Sequence, residues 1–454
     1  MLRRLVLLAI AALVIWRITA LGLSSHYVEG LEAGRADKAG KALPWSASQP
    51  DALLAQATAL REEDPAAAAK LLGRGYAENP ADAQPLIAAA LLAQREGDQA
   101  RADALMTTAV RLMPSDPRIH KQAGGYWASR GDVEQAMRHW SRALEAEPKM
   151  REQLFPVLLG IAEDTGTRLA LKPFAAVPPS WWEAYFAEVA KRALDTETVR
   201  LLFAMRRQST QAAITEAERQ TYVSRLKKDG MISEAYIEWV NGLDRAQRAQ
   251  LGLIHDGGFE LEPTNGGFDW HVRSTPTALV DRGRTYGIDG EKALHLLFDR
   301  HEGRFSEVYQ PLFLDPGRYR LAGRVRTDNL DSQGGLKWTL RCLLPEAKDL
   351  GESERFLGSN EWRDFGLEFQ VPESCMLQEI RLASAGERPV ELKISGGAWF
   401  DRMAIRRLPA PEPAPIPSPT SAPSPAAAEG PGGRDTASPG AAPPARKPRP
   451  KPGT

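Results

Sequence analysis

The sequence predicts a multidomain α+β chain. It has an N-terminal membrane helix (1–24), an all-α domain of helical repeats (25–250), an antiparallel β-sandwich (251–408) and a disordered Pro-rich tail (409–454). Three observations predict it. An unbroken apolar run, Leu5 to Trp16, follows Arg3 and Arg4. A 34-residue interval separates Pro80, Pro114 and Pro148; Asp64, Asp98 and Asp132; and Ala68, Ala102 and Ala136. That interval is the period of a helix–turn–helix solenoid. Near Leu251, alanine-rich helical stretches give way to short alternating runs divided by turns, the pattern of an antiparallel sandwich.

The N-terminal run, extended to Leu23, gives roughly 28 Å of helix, enough to span a bilayer. Basic residues precede it and acidic ones begin beyond Tyr27, which places the N-terminus in the cytoplasm and the bulk of the chain outside. Arg17 lies near the far end, where its long side chain can reach the interface. The alternative is a cleaved signal peptide, with Ala20-Leu21-Gly22 as a small-x-small site. Both readings put the body of the protein in the same compartment.

The repeats follow. In the third unit Pro117 opens a helix, Gly131-Asp132 turns the chain, and Ala136, Trp140 and Ala143 share one face of a second helix that Pro148 closes. Asp98, Ala102, Met106, Ala109 and Pro114 repeat these offsets in the second unit, and Asp64, Ala68, Leu72, Gly75 and Pro80 in the first. The pattern resembles the tetratricopeptide repeat, with its alanine in the second helix and its closing proline. Gly230, Ala235, Trp239 and Gly242 reproduce the offsets once more. Trp181, Trp182, Tyr185 and Phe186 form an aromatic stripe at helical spacing, read as core. The resemblance implies a concave face lined by first-helix residues, by register Leu53, Arg61, Ile87, Leu91, Arg95 and Lys121, that grips a partner protein. Arg61 and Arg95 are again 34 apart, a row of like charge suited to an acidic peptide or, alternatively, a solvated face.

Beyond Gly252, the strands are expected at Tyr319–Val325, Leu336–Leu343, Phe365–Val371, Ile380–Leu382, Val390–Ile394 and Trp399–Ile405. The region opens with Asp256-Gly257-Gly258-Phe259-Glu260 and Phe268-Asp269-Trp270. It carries Tyr309-Gln310-Pro311-Leu312 and Asp315-Pro316-Gly317-Arg318-Tyr319 in its middle, and closes with Trp399-Phe400-Asp401. This arrangement looks like the jelly-roll carbohydrate-binding modules of the galactose-binding-like superfamily. The resemblance implies a structural calcium ion held by Glu260 and Asp401; the alternative is that these acids accept hydrogen bonds from backbone N–H groups. It also implies glycan binding on exposed aromatics. Trp270 and Trp362, near turns, are expected at the surface, with Tyr286 and Tyr309 as further candidates. A purely structural or protein-binding sandwich is the competing reading. Cys342 and Cys375 are either a disulfide or two buried thiols.

Composition excludes other classes. The 58 basic and 58 acidic residues cancel and are scattered, which argues against a nucleic-acid partner. There is no phosphate-cradling glycine loop, His-Glu-x-x-His or Gly-x-Ser-x-Gly. His295 and His301 border Glu302 without a third ligand in register and are read as an ordinary surface pair. The chain is therefore read as non-enzymatic. The tail holds 15 prolines among its 46 residues and ends in a basic Arg446-Lys447-Pro448-Arg449 stretch, a composition that cannot bury a core. The architecture resembles bacterial inner-membrane, single-pass proteins with a periplasmic body that accompany exopolysaccharide or other surface-polymer machinery. It implies an envelope protein partner and a polysaccharide, or, alternatively, a protein-only adaptor in envelope or secretion assembly.

Overall fold

The computed structural model describes residues 2–28 and 41–409; the tail from Ala410 and residues 29–40 lie outside the described residues. The first helix, Leu2–Val28, is apolar on all sides: Leu5, Leu8, Ile15 and Ile18 are each more than half exposed. Within its span Arg3–Val28 an 18-residue window has a mean hydropathy of 2.3, and the helix is long and apolar enough to cross a membrane.

Three helical hairpins follow: Pro50–Leu60 with Pro65–Glu78, Gln84–Arg95 with Gln99–Leu112, and Pro117–Ser129 with Val133–Ala146. The 34-residue markers have physical causes. Asp64, Asp98 and Asp132 are the N-caps of the second helices, accepting from Ala67 N (2.9 Å), Arg101 N (3.1 Å) and Gln135 N (2.9 Å). Ala68, Ala102 and Ala136 are each fully buried at the same place in their hairpins, where a larger side chain would hold the helices apart. At Gly124 a side chain would overlap the Trp140 indole, so glycine sets the distance between the helices of the third hairpin.

Beyond Arg151–Glu163, the chain leaves the repeat phase. Trp181, Trp182, Tyr185 and Phe186 are all buried, as core. Trp182 Nε1 donates to Glu218 Oε1 (2.9 Å), and Tyr185 OH to the Leu158 carbonyl (2.8 Å). Glu218 also pairs with Arg206 at 2.7 Å; both are about 1% exposed, and Arg206 donates to the Ala212 and Ala213 carbonyls as well. The hairpin Glu216–Lys228 with Ile232–Gly242 restores the repeat geometry. Gly230 has φ +78°, against +82° and +80° at Gly97 and Gly131, and Ala235 is fully buried.

The C-terminal part is two five-stranded antiparallel sheets packed face to face. One runs β1 (His271–Val272), β4 (Val308–Leu312), β9 (Leu377–Ser384), β6 (Leu336–Leu344), β7 (Lys348–Glu352). The other runs β2 (Ala278–Gly283), β3 (Ala293–His301), β10 (Ile394–Arg407), β5 (Gly317–Asp331), β8 (Gly358–Val371). Trp338, Leu340, Leu321, Val325, Leu296 and Phe400 fill the space between them. Cys342 and Cys375 form a disulfide. Val390–Ile394 is not a strand. Pro389–Leu392 is a single helical turn, because the Glu391 carboxylate accepts from Glu387 N (3.0 Å) and Arg388 N (3.2 Å) and draws the backbone round.

The sandwich is packed on the last hairpin. Phe268 sits edge-on to Tyr236 (5.2 Å) and beside Trp239 (5.7 Å), and Phe313 lies 5.3 Å from Tyr236. Lys227 Nζ donates to the Gly267 carbonyl at 2.6 Å. Gly267 has φ +60°, and a Cβ there would lie 2.7 Å from Trp239 Nε1.

Candidate functional site

Strand alternation gives the second sheet an outward face, and its register assembles a site there. Asp281 on β2 lies opposite His295 on β3, His295 opposite Trp399 on β10, and Trp399 opposite Arg326 on β5. Four strands thus place one row of side chains on one face. His295 Nδ1 bonds Asp281 Oδ1 at 2.9 Å, which orients the imidazole, and the imidazole stacks on Trp399 at 3.9 Å and 20°. The Arg326 guanidinium lies 5.2 Å from the Trp399 ring, 4.6 Å from Tyr286 and 5.9 Å from Trp362. Its own donors reach Thr285 Oγ1 (2.6 Å) and Asp328 Oδ2 (2.8 Å). Trp362 on β8 donates from Nε1 to the Tyr286 carbonyl at 2.7 Å, and Arg324 lies 5.3 Å from the same indole. Tyr286 is 60% exposed. The guanidinium holds three aromatic rings in fixed relation. Leu279 and Leu297, nearly half exposed, continue the face.

Beside this row a groove of about 1120 Å³ crosses the same sheet. Its floor is made of small residues, Ala404 on β10, Ala322 on β5 and Gly366 on β8, aligned by register. The opening segment Gly257–Glu260 forms one wall, tied down by Met403 N donating to the Gly257 carbonyl at 2.8 Å.

Of the four aromatics proposed for glycan, the structure brings two together, Trp362 and Tyr286. Trp270 is not at the surface: it is 1% exposed, its Nε1 donates to the Asp256 carbonyl (3.1 Å), and its ring packs on Phe259 and Trp338. The segment that carries it folds inward over the end of the sandwich, so the nearby turn does not expose it. Tyr309 belongs to the other sheet, and both faces of its ring are taken, by His271 at 4.5 Å and Arg381 at 4.2 Å. Sequence reasoning missed Trp399, Arg326, Arg324 and His295. Arg324 and Arg326 alternate with the inward Val325 and Leu321, so their outward direction was readable. Their convergence with Trp399 depends on strand order. His295 and His301 share no partner, since His301 Nδ1 bonds Thr277 Oγ1 at 2.8 Å; His301 is also buried, which corrects the reading of a surface pair.

The donor set at Glu260 and Asp401 does not fit calcium. Glu260 Oε1 accepts from Glu291 N (2.9 Å) and Lys292 N (3.4 Å). Asp401 accepts from Asp289 N (2.8 Å) and Arg402 N (2.7 Å). Calcium takes six to eight oxygens, whereas these carboxylates are turned toward N–H groups. Among the described residues no group of three His, Cys, Asp or Glu side chains converges as metal ligands. Burial pushes the Asp401 carboxyl up, against the pull of its two N–H donors.

In the repeats a second, smaller groove of about 190 Å³ is lined by Leu54, Ala57, Arg61, Ile87 and Leu91. Leu53 is not part of it; it is buried between helices, against the Gly75 backbone. Arg61 and Arg95 do stand in a row, but they share one acid, with Glu62 Oε1 3.9 Å from the first and 3.3 Å from the second. Lys121 donates to Gln153.

No protein-family model matches the chain, and no curated protein matches it. Among solved structures, it is similar to the crystal structure of MamA (22% identity over 30% of this chain and 81% of that one, TM-score 0.23). It is also similar to a CBM4 structure (13% identity, 34% of this chain and 99% of that one, TM-score 0.26). A third is the CBM22-1 xylan-binding domain of Paenibacillus barcinonensis Xyn10C (17% identity, 34% and 94%, TM-score 0.24). At such identities and scores the functional reading rests on the geometry of the site.

Proposed function

We propose that the chain is a non-catalytic, membrane-anchored scaffold whose helical repeats hold a protein partner and whose sandwich holds a glycan, outside the cytoplasm, in the assembly or export of a surface polymer. The observation that carries the glycan half is the cross-strand row His295–Trp399–Arg326 with Trp362 and Tyr286 beside it. Fixed aromatic rings flanked by guanidinium and imidazole groups beside a long groove suit a sugar chain, which offers apolar ring faces and hydroxyls together. The disulfide supports an oxidising compartment, and the apolar helix supports anchoring there. The repeat groove, apolar with an arginine at its edge, supports an extended peptide as its occupant.

The test is retention of the full chain, in detergent micelles, on a panel of immobilised polysaccharides. Retention that is lost in Trp362→Ala and in Tyr286→Ala, with melting temperature kept, supports the reading. The second reading is the protein-only adaptor, favoured by the way Arg326 already lies against the rings of Tyr286, Trp362 and Trp399. Absence of retention on every polymer selects it.

A further inference from the structure

The outward face of the second sheet breaks a local rule at its far end. Arg406 on β10 and Arg320 on β5 stand directly opposite each other, and both are exposed. Like charges in that relation destabilise a sheet. Among the described residues neither has an ion pair, and Glu368, opposite Arg320 on β8, is bonded by Arg318 at 3.3 Å instead. The Arg320 guanidinium lies across Gly366, about 3.4 Å from where a side chain would begin. Both arginines line the groove of about 1120 Å³, next to the floor of Ala404, Ala322 and Gly366. Arg324 lines it four residues further along β5, roughly 13 Å away along the strand.

The acids of the groove are engaged elsewhere. Glu260 and Asp401 hold backbone N–H groups, Asp289 lies 3.3 Å from Arg402, and exposed Asp364 lies 3.9 Å from Arg324. The Arg320–Arg406 end is therefore the positive end without ion pairs of a groove that also carries Arg324, beside the Trp362 indole. Leu408 lines that groove, and the sequence beyond it carries five basic residues (Arg434, Arg446, Lys447, Arg449 and Lys451) against three acidic ones (Glu412, Glu429 and Asp435), so the net positive charge of the tail as a whole disfavours it as occupant. A rule broken without compensation inside the fold points to a ligand that supplies the compensation.

We infer that this groove takes an acidic polysaccharide, whose sugar rings lie along the Ala404–Ala322 floor and whose anionic group, a carboxylate or a sulfate ester, is held by Arg320 and Arg406. The inference rests on the glycan reading above and narrows it to one class of polymer. Two guanidiniums on adjacent strands supply enough N–H donors to hold one anion between them.

The experiment measures binding of the full chain in detergent micelles to alginate, polygalacturonate and hyaluronan, each beside its carboxyl-reduced form, and to dextran sulfate and poly-L-glutamate. The expected result is that at least one acidic polysaccharide binds at least about tenfold tighter than its uncharged counterpart and weakens with salt. Arg320→Ala and Arg406→Ala should each lose about tenfold, without a lower melting temperature, because each removes a repulsion. Preference for the carboxylates or for dextran sulfate names the anionic group. Equal binding of the carboxyl-reduced forms, wild-type binding by both arginine variants, or equally tight binding of poly-L-glutamate overturns the inference. If the neutral forms bind and Trp362→Ala abolishes that binding, the glycan reading stands and this one falls. If no polymer binds in either form, both fall.

Discussion

Gly267→Ala isolates the joint between the helical and β parts. Two costs are expected. At φ +60° an alanine gives up about 1–2 kcal/mol of backbone energy relative to glycine. Its Cβ would also lie 2.7 Å from Trp239 Nε1, and the indole, about 5% exposed, is packed against Phe268 and Tyr236 and has no free space to enter. Overpacking of that kind costs about 1–3 kcal/mol, for a total of roughly 2–5 kcal/mol. Gly97→Ala is the control. Its φ is +82°, but nothing lies within 4 Å of the added carbon, so it should cost the backbone share alone. Urea denaturation followed by tryptophan fluorescence, with limited proteolysis of the 243–266 segment, reads both. Gly267→Ala should exceed Gly97→Ala by about 1–3 kcal/mol and open the segment to protease. In a Trp239→Ala background that excess should vanish, since the two residues then no longer meet. Equal costs for the two glycines would refute the packed joint.

Four further outcomes follow from the same contacts. Reducing the Cys342–Cys375 bond, which closes a separation of 33 residues, should cost about 3–4 kcal/mol by the loop-entropy relation, measured by urea denaturation with and without reductant. Burial, reinforced by His120, depresses the His139 pKa to about 4, and burial with Lys227 nearby does the same at His271. Both imidazoles stay neutral in the fold while the unfolded chain takes up protons from near pH 6.5, so their stabilisation is full above pH 6.5 and is lost as pH falls toward 4; His139→Asn should flatten that slope by about 1 kcal/mol after allowance for partial exposure. Glu218→Gln leaves the buried Arg206 without a counter-charge and should cost about 3–5 kcal/mol in the same denaturation assay, whereas Arg318→Ala at the surface should cost under about 1 kcal/mol. A chelator should leave the melting curve unchanged, because Glu260 and Asp401 are satisfied by N–H groups; a lowered melt would restore calcium.

The repeats were legible because their physics is local. An aspartate that caps a helix and an alanine that lets two helices touch leave the same residue types at the same offset, and Asp64, Asp98 and Asp132 could be read without knowing what packs on what. The sandwich was legible as a class for a similar reason, since alternation is also local. Its site was not. Trp399 and Arg326 are 73 positions apart, and only the order β2-β3-β10-β5-β8 puts them side by side. Trp270 misled because proximity to a turn says nothing about which way the turn folds. The Val390–Ile394 run misled because a single glutamate accepting two N–H bonds outweighs the strand propensity of Val390 and Ile394.

The packing of Phe268 and Phe313 onto Tyr236 and Trp239 has a consequence for assembly. A solenoid ends in an apolar surface that invites another copy, and natural arrays need a polar terminal cover to stay soluble. Here the β-sandwich is that cover. It occupies the position a further hairpin would take, so copies of this chain cannot stack head to tail through that end.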